Sequence, residues 1–178
     1  MDFADLTIRR LSTYDDLECF TCGDEDLDEF IRTDACNYSD ERLAISYVVG
    51  NSNEIVAYFS IANDRLSYDD FETLTSFNRF RKRHFVNSKR IKGYPAVKIC
   101  RLAVKSSYKG KKIGTFIINF IKGLFYNENK SACRFLTVDA NRSVLHFYAS
   151  NGFNFILTNI NEEYRTIPLY FDLADFSR

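Results

Sequence analysis

The stretch "SSYKGKKIGTFIINFIKGLF", residues 106–125, decides the fold because it joins a glycine-containing turn to a periodic apolar run. Apolar residues recur every three or four positions, which predicts the buried face of an amphipathic helix. These positions are Ile113, Phe116, Ile117, Phe120, Ile121 and Leu124. The sequence therefore predicts a long helix that begins at a turn rich in lysine and glycine.

The turn before this helix has the composition of an anion-binding site. Backbone N–H groups at a helix start have no partners inside the helix, and glycine lets a ligand approach closely. Lys109, Lys111 and Lys112 add positive charge around Gly110. The patterns GxxxxGK[ST] and GxGxxG are both absent, which disfavours ATP, GTP and dinucleotides as ligands. A plain turn that only leads into the helix is the alternative.

Length and composition are typical of a globular protein with one domain. The 178 residues are 46% apolar, and two prolines and seven glycines leave no disordered linker. We therefore expect a single domain over residues 1–178. The charged N-terminus does not resemble a signal peptide, and no apolar run is long enough for a membrane span, so a cytoplasmic location is expected. Cys19 and Cys22 lack a second pair of ligands, so no metal site is predicted.

The zero net charge hides a separation of charge along the sequence. Residues 13–41 contain eleven carboxylates and one base, whereas residues 79–122 contain fourteen Lys and Arg and no carboxylate. A like-charge block of this kind is typical of a solvated surface or of an anion-binding one. Phe80, Phe85 and Tyr94 lie within or beside its densest part and are candidates for stacking on bases.

The remaining pattern predicts strands that alternate with a few helices. The predicted strands cover residues 6–11, 42–50, 54–62, 96–104, 133–140, 153–160 and 167–174. The other predicted helices cover residues 24–38 and 142–152, and residues 63–95 are expected to hold a short helix and a long loop. One mixed sheet with helices on both faces accommodates this order, which is an α/β (α+β) fold.

The segment "RLAVKSSYKGKKIGTFII" resembles the acyl-CoA signature of the GNAT superfamily of N-acetyltransferases. That signature is a strand ending L-x-V, then Q/R-x-x-G-x-G/A, then a helix. Lys109 stands at the Gln/Arg place, Lys112 at the first glycine place and Gly114 at the second. A side chain at the first glycine place must point away from a bound phosphate. Gly110 fits a frequent variant of the pattern, "QGKG".

A second segment, "NRSVLHFYASNGF" at residues 141–153, is similar to the family pattern N-x-x-A-x-x-F-Y-x-x-x-G-F, with Val144 at the small-residue place. Upstream, "FTCGDEDLDEFIRTDA" at residues 20–35 is similar to the start of a toxin-like branch that acetylates aminoacyl groups on charged tRNA. The resemblance is best over residues 96–155. It implies the GNAT fold, a single, mostly antiparallel mixed sheet of about six to seven strands with helices on both faces.

The resemblance implies acetyl transfer from acetyl-CoA to a primary amine by direct attack within a ternary complex. The backbone amides of residues 110–115 would hold the diphosphate. This binding set ends with Ile113, Gly114 and Thr115 at the helix start. Leu102, Ala103 and Val104 would hold the pantetheine arm through main-chain groups, as if it were an added strand.

The same resemblance implies a general acid at Tyr148. The leaving group is a thiolate whose thiol has a pKa of about 8.5, and a phenol beside it can donate a proton as the C–S bond breaks. A tyrosine that merely fills the core is the alternative. Asn141 is expected to contact the cofactor arm, to cap the following helix, or to do both.

The strand "AVKICRLAV", residues 96–104, contains no carboxylate, although many family members carry a glutamate there. Either a distant residue acts through water, or the acceptor amine needs little help. An α-amino group, with a pKa of about 7.7–8.0, is far less protonated at neutral pH than a lysine side chain at about 10.4. The absence of a carboxylate from this strand therefore favours an α-amino acceptor.

The toxin-like resemblance favours charged tRNA as the acceptor. A basic patch would then contact RNA or the 3′-phosphate of CoA. The patch consists of Arg81, Lys82, Arg83, Lys89 and Arg90. The resemblance also implies a small antitoxin partner and leaves a homodimer open. The alternatives are a peptide, protein or small-amine acetyltransferase and, in another class, a non-catalytic acyl-CoA-binding module.

Overall fold

The hydrophobic pattern placed most strands and helices where the structure has them. The computed structural model describes residues 5–85, 91–127, 131–157, 160 and 163–176. The strands are β1 (Thr7–Arg10), β2 (Ile45–Gly50), β3 (Ile55–Ser67), β4 (Gly93–Val104), β5 (Phe135–Asn141), β6 (Asn154–Phe155) and β7 (Thr166–Asp172). The helices are α1 (Glu25–Glu29), α2 (Ala35–Asp40), α3 (Leu74–His84), α4 (Ile113–Asn127) and α5 (Leu145–Ser150).

The described strands form one seven-stranded sheet in the order β1-β2-β3-β4-β5-β7-β6. The pairs β1/β2, β2/β3, β5/β7 and β6/β7 are antiparallel. The pair β4/β5 is parallel, with Ala96–Lys98 opposite Phe135–Thr137. This mixed and mostly antiparallel sheet confirms the predicted fold class.

The chain divides into two compact units, and β3 and β4 each contribute residues to both. The first unit consists of Met1–Ala62 and Ile99–Ile121, and the second of Asn63–Lys98 and Lys122–Arg178. Among the described residues, no helix has both the length and the apolar character that a membrane crossing requires.

In the first unit, helices cover both faces of the strands. Tyr58 and Phe59 are neighbours in β3 and therefore point to opposite faces. The Tyr58 ring packs with Phe20 and Phe30 from the N-terminal segment. The Phe59 ring packs against Phe120 of α4.

Tyr170 and Phe171 of β7 divide the second unit in the same way. Tyr170 belongs to an aromatic cluster that includes Phe80 of α3 and Phe135 of β5. Phe171 packs against Phe153, which follows α5. Helices α3 and α5 therefore pack on opposite faces of the strands in this unit.

Asp172, buried at the end of β7, fixes the C-terminal end of α3. Its carboxylate bonds to His84 Nδ1 at 2.7 Å and pairs with Arg134 at 2.7 and 2.9 Å. It also accepts a hydrogen bond from the Ala174 amide at 2.9 Å. Burial would raise the pKa of Asp172, but the bonds from His84, Ala174 and Arg134 outweigh it and hold this pKa below its usual value.

Replacement of Asp172 by Asn is expected to lower the free energy of unfolding by about 3 kcal/mol at pH 7, because it removes the buried carboxylate that pairs with Arg134 and bonds to His84 Nδ1. A carboxyl whose folded pKa lies below its unfolded value of about 3.9 stabilises the fold above that value. This contribution is lost as the pH falls through the folded pKa. Urea unfolding of both proteins between pH 7 and pH 3 measures the effect.

The difference between wild type and Asp172→Asn must shrink as the pH falls. Asp175→Asn, at an exposed position three residues further along the same chain segment, provides the matched control. It is expected to change stability by no more than about 0.5 kcal/mol. A wild-type advantage that stays constant down to pH 3 contradicts the role given to the carboxylate.

Three predicted elements differ in the structure. The predicted helix over residues 24–38 is interrupted by a π-helical segment, Phe30–Asp34. In residues 63–95, β3 continues to Ser67 and α3 has eleven residues. The strand predicted over residues 153–160 is reduced to the two residues of β6 among those described.

Candidate functional site

The turn between β4 and α4 contains two residues in the left-handed backbone conformation. Gly110 has a φ of 78° and Lys112 a φ of 60°. Glycine adopts this conformation freely, whereas a residue with a Cβ pays roughly 1–2 kcal/mol for it. The predicted departure at Lys112 is therefore a real point of backbone strain, placed just before the helix starts.

The first turn of α4 presents unsatisfied backbone donors. The helix supplies no acceptors for its own first amides, and its first i→i−4 bond runs from the Phe116 amide to the Lys112 carbonyl at 3.0 Å. The amides of Ile113, Gly114 and Thr115 precede that bond. Together with the dipole of this 15-residue helix, they favour an anion at its N-terminus.

Exposed lysines surround these donors. Lys109, Lys111 and Lys112 are all exposed. The Lys111 ammonium lies 4.4 Å from the centre of the Tyr108 ring. The turn therefore combines main-chain donors with positive charge, as the sequence predicted.

Glu54, at the end of the β2–β3 hairpin, holds the residues before the turn. Its carboxylate accepts hydrogen bonds from Lys105 Nζ at 2.5 Å and from the Tyr108 hydroxyl at 2.6 Å. The bonds from Lys105 and then Tyr108 lower the pKa of Glu54. The Lys105 amide also donates to the Val56 carbonyl at 2.8 Å. Sequence reasoning missed Glu54, because no local pattern links it to a turn about fifty positions away.

The N-terminal segment holds the same connection from another side. The Ser106 amide donates to the Thr21 carbonyl at 2.8 Å. Gly23 has a φ of 80°, and a Cβ built there would lie 3.6 Å from Ser106 Oγ. Buried Asp28 accepts bonds from the Thr21 hydroxyl and the Cys22 amide, both at 2.7 Å. The "FTCG" segment thus has a structural role beside the turn.

The cysteine pair has no metal-ligand geometry. Burial, followed by the hydrogen bond with Asp28, raises the pKa of Cys22 to about 11. Cys19 is exposed and both thiols are free. In the part of the chain that the structure describes, no three His, Cys, Asp or Glu side chains form a cluster that could hold a metal ion.

The predicted pantetheine-binding residues lie at the end of β4, directly before this connection. Ala103 is buried in the core of the first unit, whereas Leu102 and Val104 are half-buried. Arg101 beside them lies over the Phe30 ring at 5.1 Å. Their cofactor role stays a prediction.

Tyr148 lies in α5 of the second unit and is 6% exposed. Burial raises the pKa of its phenol well above the ordinary value, so the phenol is protonated at neutral pH. Its ring packs edge-on against Phe147 and Phe153. Its carbonyl accepts bonds from the Asn151 and Phe153 amides at 3.0 and 3.1 Å. Helix α5 ends at Ser150, and Gly152 just beyond it has a φ of 82°, which is typical of a left-handed helix cap.

Asn141 is exposed at the end of β5 and precedes a single 3₁₀ turn, Arg142–Val144. Its side chain makes no capping hydrogen bond there, so the predicted capping role is wrong. The backbone of Asn141 is instead fixed by pairing with Thr166 of β7. The predicted contact with the cofactor arm stays a prediction.

The basic patch lies on α3 and continues beyond the described residues. Arg81 is half-buried, Lys82 and Arg83 are exposed, and Lys89 and Arg90 lie outside the described ranges. Arg81 and Lys82 line a groove of about 800 Å³. The other lining residues are Arg65, Tyr68, Asp69, Leu74, Phe77, Asn78, Ile91 and Lys92.

The predicted stacking role of the aromatic residues in this region is wrong for two of them. Phe80 and Tyr94 are 7% and 4% exposed and belong to the core of the second unit. Phe85 is half-buried and stacks on Tyr94 with ring centres 4.3 Å apart. The Phe80 and Tyr94 rings are occupied in packing, so the bases of a nucleic acid have no access to them.

The strain at Lys112 has a measurable consequence. Lys112→Gly is expected to be more stable than Lys112→Ala by about 0.5–1 kcal/mol, because only the alanine keeps a Cβ in the left-handed conformation. Urea unfolding of the two variants measures the difference, and both lack the lysine charge. At Lys111, whose φ is not positive, the same two substitutions should show the reverse order. Equal stability of the two Lys112 variants argues against strain.

Known proteins share this fold. A tyrosine-to-phenylalanine mutant of KacT has a TM-score of 0.78 and 18% identity, over 97% of this chain and 98% of that chain. AtaT complexed with acetyl-methionyl-tRNAfMet has a TM-score of 0.77 and 20% identity, over 97% and 98%. AtaTR bound with acetyl-CoA has a TM-score of 0.76 and 20% identity, over 98% and 97%. At 18–20% sequence identity, this similarity shows a shared fold only.

No curated protein sequence matches the chain significantly. A family profile does, the one described as "Acetyltransferase (GNAT) domain", over residues 44–155. This range contains β4, the strained turn, α4 and Tyr148, and it covers more than half of the chain. The chain therefore belongs to the GNAT acetyltransferase domain family.

Proposed function

We propose that this protein transfers an acetyl group from acetyl-CoA to the α-amino group of an aminoacyl-tRNA. The single observation that carries the donor half is the strained turn with unsatisfied amides at the start of α4, inside the family-matching range. The proposal takes residues 1–178 as one acetyltransferase domain. AtaTR, which shares the fold, has been solved with acetyl-CoA.

The donor would bind mainly through the protein backbone. The amides of residues 110–115 hold the diphosphate, and Lys109, Lys111 and Lys112 supply positive potential around it. Main-chain groups of Leu102, Ala103 and Val104 bind the pantetheine arm in the manner of an added strand. Because these contacts use the main chain, Lys112 fits the turn as long as its side chain stays in solvent, where it is exposed.

Transfer proceeds by direct attack of the amine on the thioester carbonyl carbon. A C–N bond forms, the C–S bond breaks, and the departing sulfur takes a proton from the Tyr148 phenol. The amine nitrogen loses a proton in return, so the products are an amide and a free thiol. Holding both substrates together in one ternary complex supplies much of the rate.

We infer the acceptor from the absence of a catalytic base on β4. Strand β4, Gly93–Val104, contains no carboxylate to act as a base. Glu54 lies near the turn, but both of its oxygens already accept hydrogen bonds. An α-amino group needs little deprotonation at neutral pH, whereas a lysine side chain needs a base. An α-amino group esterified through its own carboxyl to tRNA fits this requirement.

Two further observations support tRNA rather than a free amino acid. The α3 surface presents Lys82 and Arg83, whereas Lys89 and Arg90 of the predicted patch lie outside the described ranges. AtaT, which shares the fold, has been solved with acetyl-methionyl-tRNAfMet.

Because charged tRNA is found in the cytoplasm, the proposal includes a cytoplasmic location for this protein. Because AtaT has also been solved with the C-terminus of the antitoxin AtaR, we propose that this chain is the toxin of such a pair.

A peptide, protein or small-amine acetyltransferase is the second candidate, since these acceptors would use the same donor site. A non-catalytic acyl-CoA-binding module is the third, and Lys112 at a glycine place is the feature that favours it. Acetylation of lysine side chains by the purified protein would argue for the second candidate. Binding of acetyl-CoA without thiol release on any amine would argue for the third.

Tyr148→Phe is expected to lower kcat by about a hundredfold or more, with acetyl-CoA affinity unchanged, because it removes only the proton donor. The assay uses acetyl-CoA and a pool of aminoacyl-tRNAs, with thiol release and the mass of the aminoacyl group as readouts, and calorimetry for binding. Tyr14→Phe, at a tyrosine that is 96% exposed, is the control. Wild-type kcat in Tyr148→Phe rules out this acid.

Lys82→Gln combined with Arg83→Gln is expected to weaken tRNA binding and to reduce the slope of log K against log salt by about two. Each cation that is removed eliminates one phosphate contact, and therefore also the release of one counterion on binding. Arg10→Gln, at an exposed position on β1, should leave the slope unchanged. An unchanged slope in the double variant removes α3 from the RNA-binding surface.

A further inference from the structure

Lys122 is a buried cation in the apolar run of α4. Its side chain is 5% exposed, and its neighbours in the run, Ile118 and Ile121, are fully buried. Burial lowers the pKa of Lys122 to about 8. Taking an ammonium out of water costs free energy unless specific partners compensate, and an apolar residue here would avoid that cost.

Lys122 contacts the residues that follow α5 and one ring of β7. Its Nζ donates to the Asn151 carbonyl at 2.6 Å. It lies 3.7 Å from the centre of the Phe171 ring and 5.8 Å from that of Phe153. A Cβ built on Gly152 would come within 3.2 Å of the Phe171 ring, and the φ of 82° at Gly152 also favours glycine there. The ammonium is thus enclosed by one carbonyl and two aromatic faces, which are favourable neighbours for a cation.

Asn151 links this enclosure to Tyr148. The Asn151 amide donates to the Tyr148 carbonyl at 3.0 Å, while its own carbonyl accepts from Lys122. The Phe153 ring packs on the Tyr148 ring with centres 5.4 Å apart. Helix α5 has only six residues, which is too short to be stable without tertiary contacts at its ends. The position of the Tyr148 phenol therefore depends on how the end of α5 is fixed.

We propose that Lys122 is a positioning residue for Tyr148, which fixes the C-terminal end of α5 through the Asn151 carbonyl and the Phe153 ring. The inference rests on the proposed role of Tyr148 as the acid. Lys122 does not touch the substrates in this scheme. It keeps the phenol in the one orientation from which a proton reaches the sulfur.

Lys122→Met keeps the length and most of the volume of the side chain and removes the donor. It is expected to lower kcat about 10- to 100-fold with the KM for acetyl-CoA unchanged, because a small displacement of a reacting group has effects of this size. Lys122→Gln, which keeps an N–H donor, should recover part of the loss. Leu124→Met on the same helix controls for altered packing and is expected to keep wild-type kcat.

A double-mutant cycle with Tyr148→Phe decides between positioning and general structural support. If Lys122 acts through the phenol, Lys122→Met lowers kcat by less than about twofold in the Tyr148→Phe background. Thiol release with acetyl-CoA and the aminoacyl-tRNA pool is measured for all four proteins, at a temperature where thermal unfolding shows each to be folded.

An equal loss in both backgrounds, or no loss in Lys122→Met, overturns the positioning role and leaves the proposed function intact. Wild-type kcat in Tyr148→Phe overturns the acid role itself, and the positioning role with it. The two failures are therefore distinguishable in one set of measurements.

Discussion

The start of α4 imposes the constraint on which the proposed donor site depends, because the first amides of a helix have no acceptors within it. The chain approaches these amides through Gly110 and Lys112, both in the left-handed conformation. A turn without these two conformations would carry the chain elsewhere. The cost is local strain at Lys112, which must be balanced by contacts around the turn.

No single contact is large enough to provide that balance. The ion pair between Glu54 and Lys105 is partly exposed and is worth at most about 1 kcal/mol. Each main-chain bond, from Lys105 to Val56 and from Ser106 to Thr21, adds about 1 kcal/mol. Together these exceed the roughly 1–2 kcal/mol of strain at Lys112. The N-terminal segment and the β2–β3 hairpin therefore belong to the donor site as supports, although neither contains a predicted ligand-binding residue.

The sequence predicted β4, the turn and α4 well, since a continuous apolar strand and a three- and four-residue apolar spacing each have one simple structural solution. It predicted α3 poorly because the basic residues hid the apolar spacing of Phe77, Phe80 and His84. That spacing marks a helix face, and it would also have shown that Phe80 is core rather than a base-stacking residue.

Contacts between residues that are far apart in the chain could not be predicted from local sequence patterns. Glu54 lies in a hairpin and Asp28 in an acidic run, where a carboxylate is usually solvated. Lys122 sits inside an apolar run, where a cation usually reaches to solvent along its own stem. Only the tertiary structure shows that Asp28 accepts hydrogen bonds in a buried position and that the Lys122 ammonium donates to the Asn151 carbonyl.

In the proposed reaction, burial of Tyr148 limits how this residue can act as an acid. Its pKa lies above the ordinary value of about 10, whereas the thiol of the leaving group has a pKa of about 8.5, so full transfer of the proton from phenol to thiolate is uphill. The transfer becomes favourable only if the phenolate is reprotonated at once. The attacking amine supplies that proton, because its nitrogen is strongly acidic once it has bonded to the carbonyl carbon. Tyr148 therefore works best as a relay from nitrogen to sulfur, and a relay needs a fixed position more than it needs a lowered pKa.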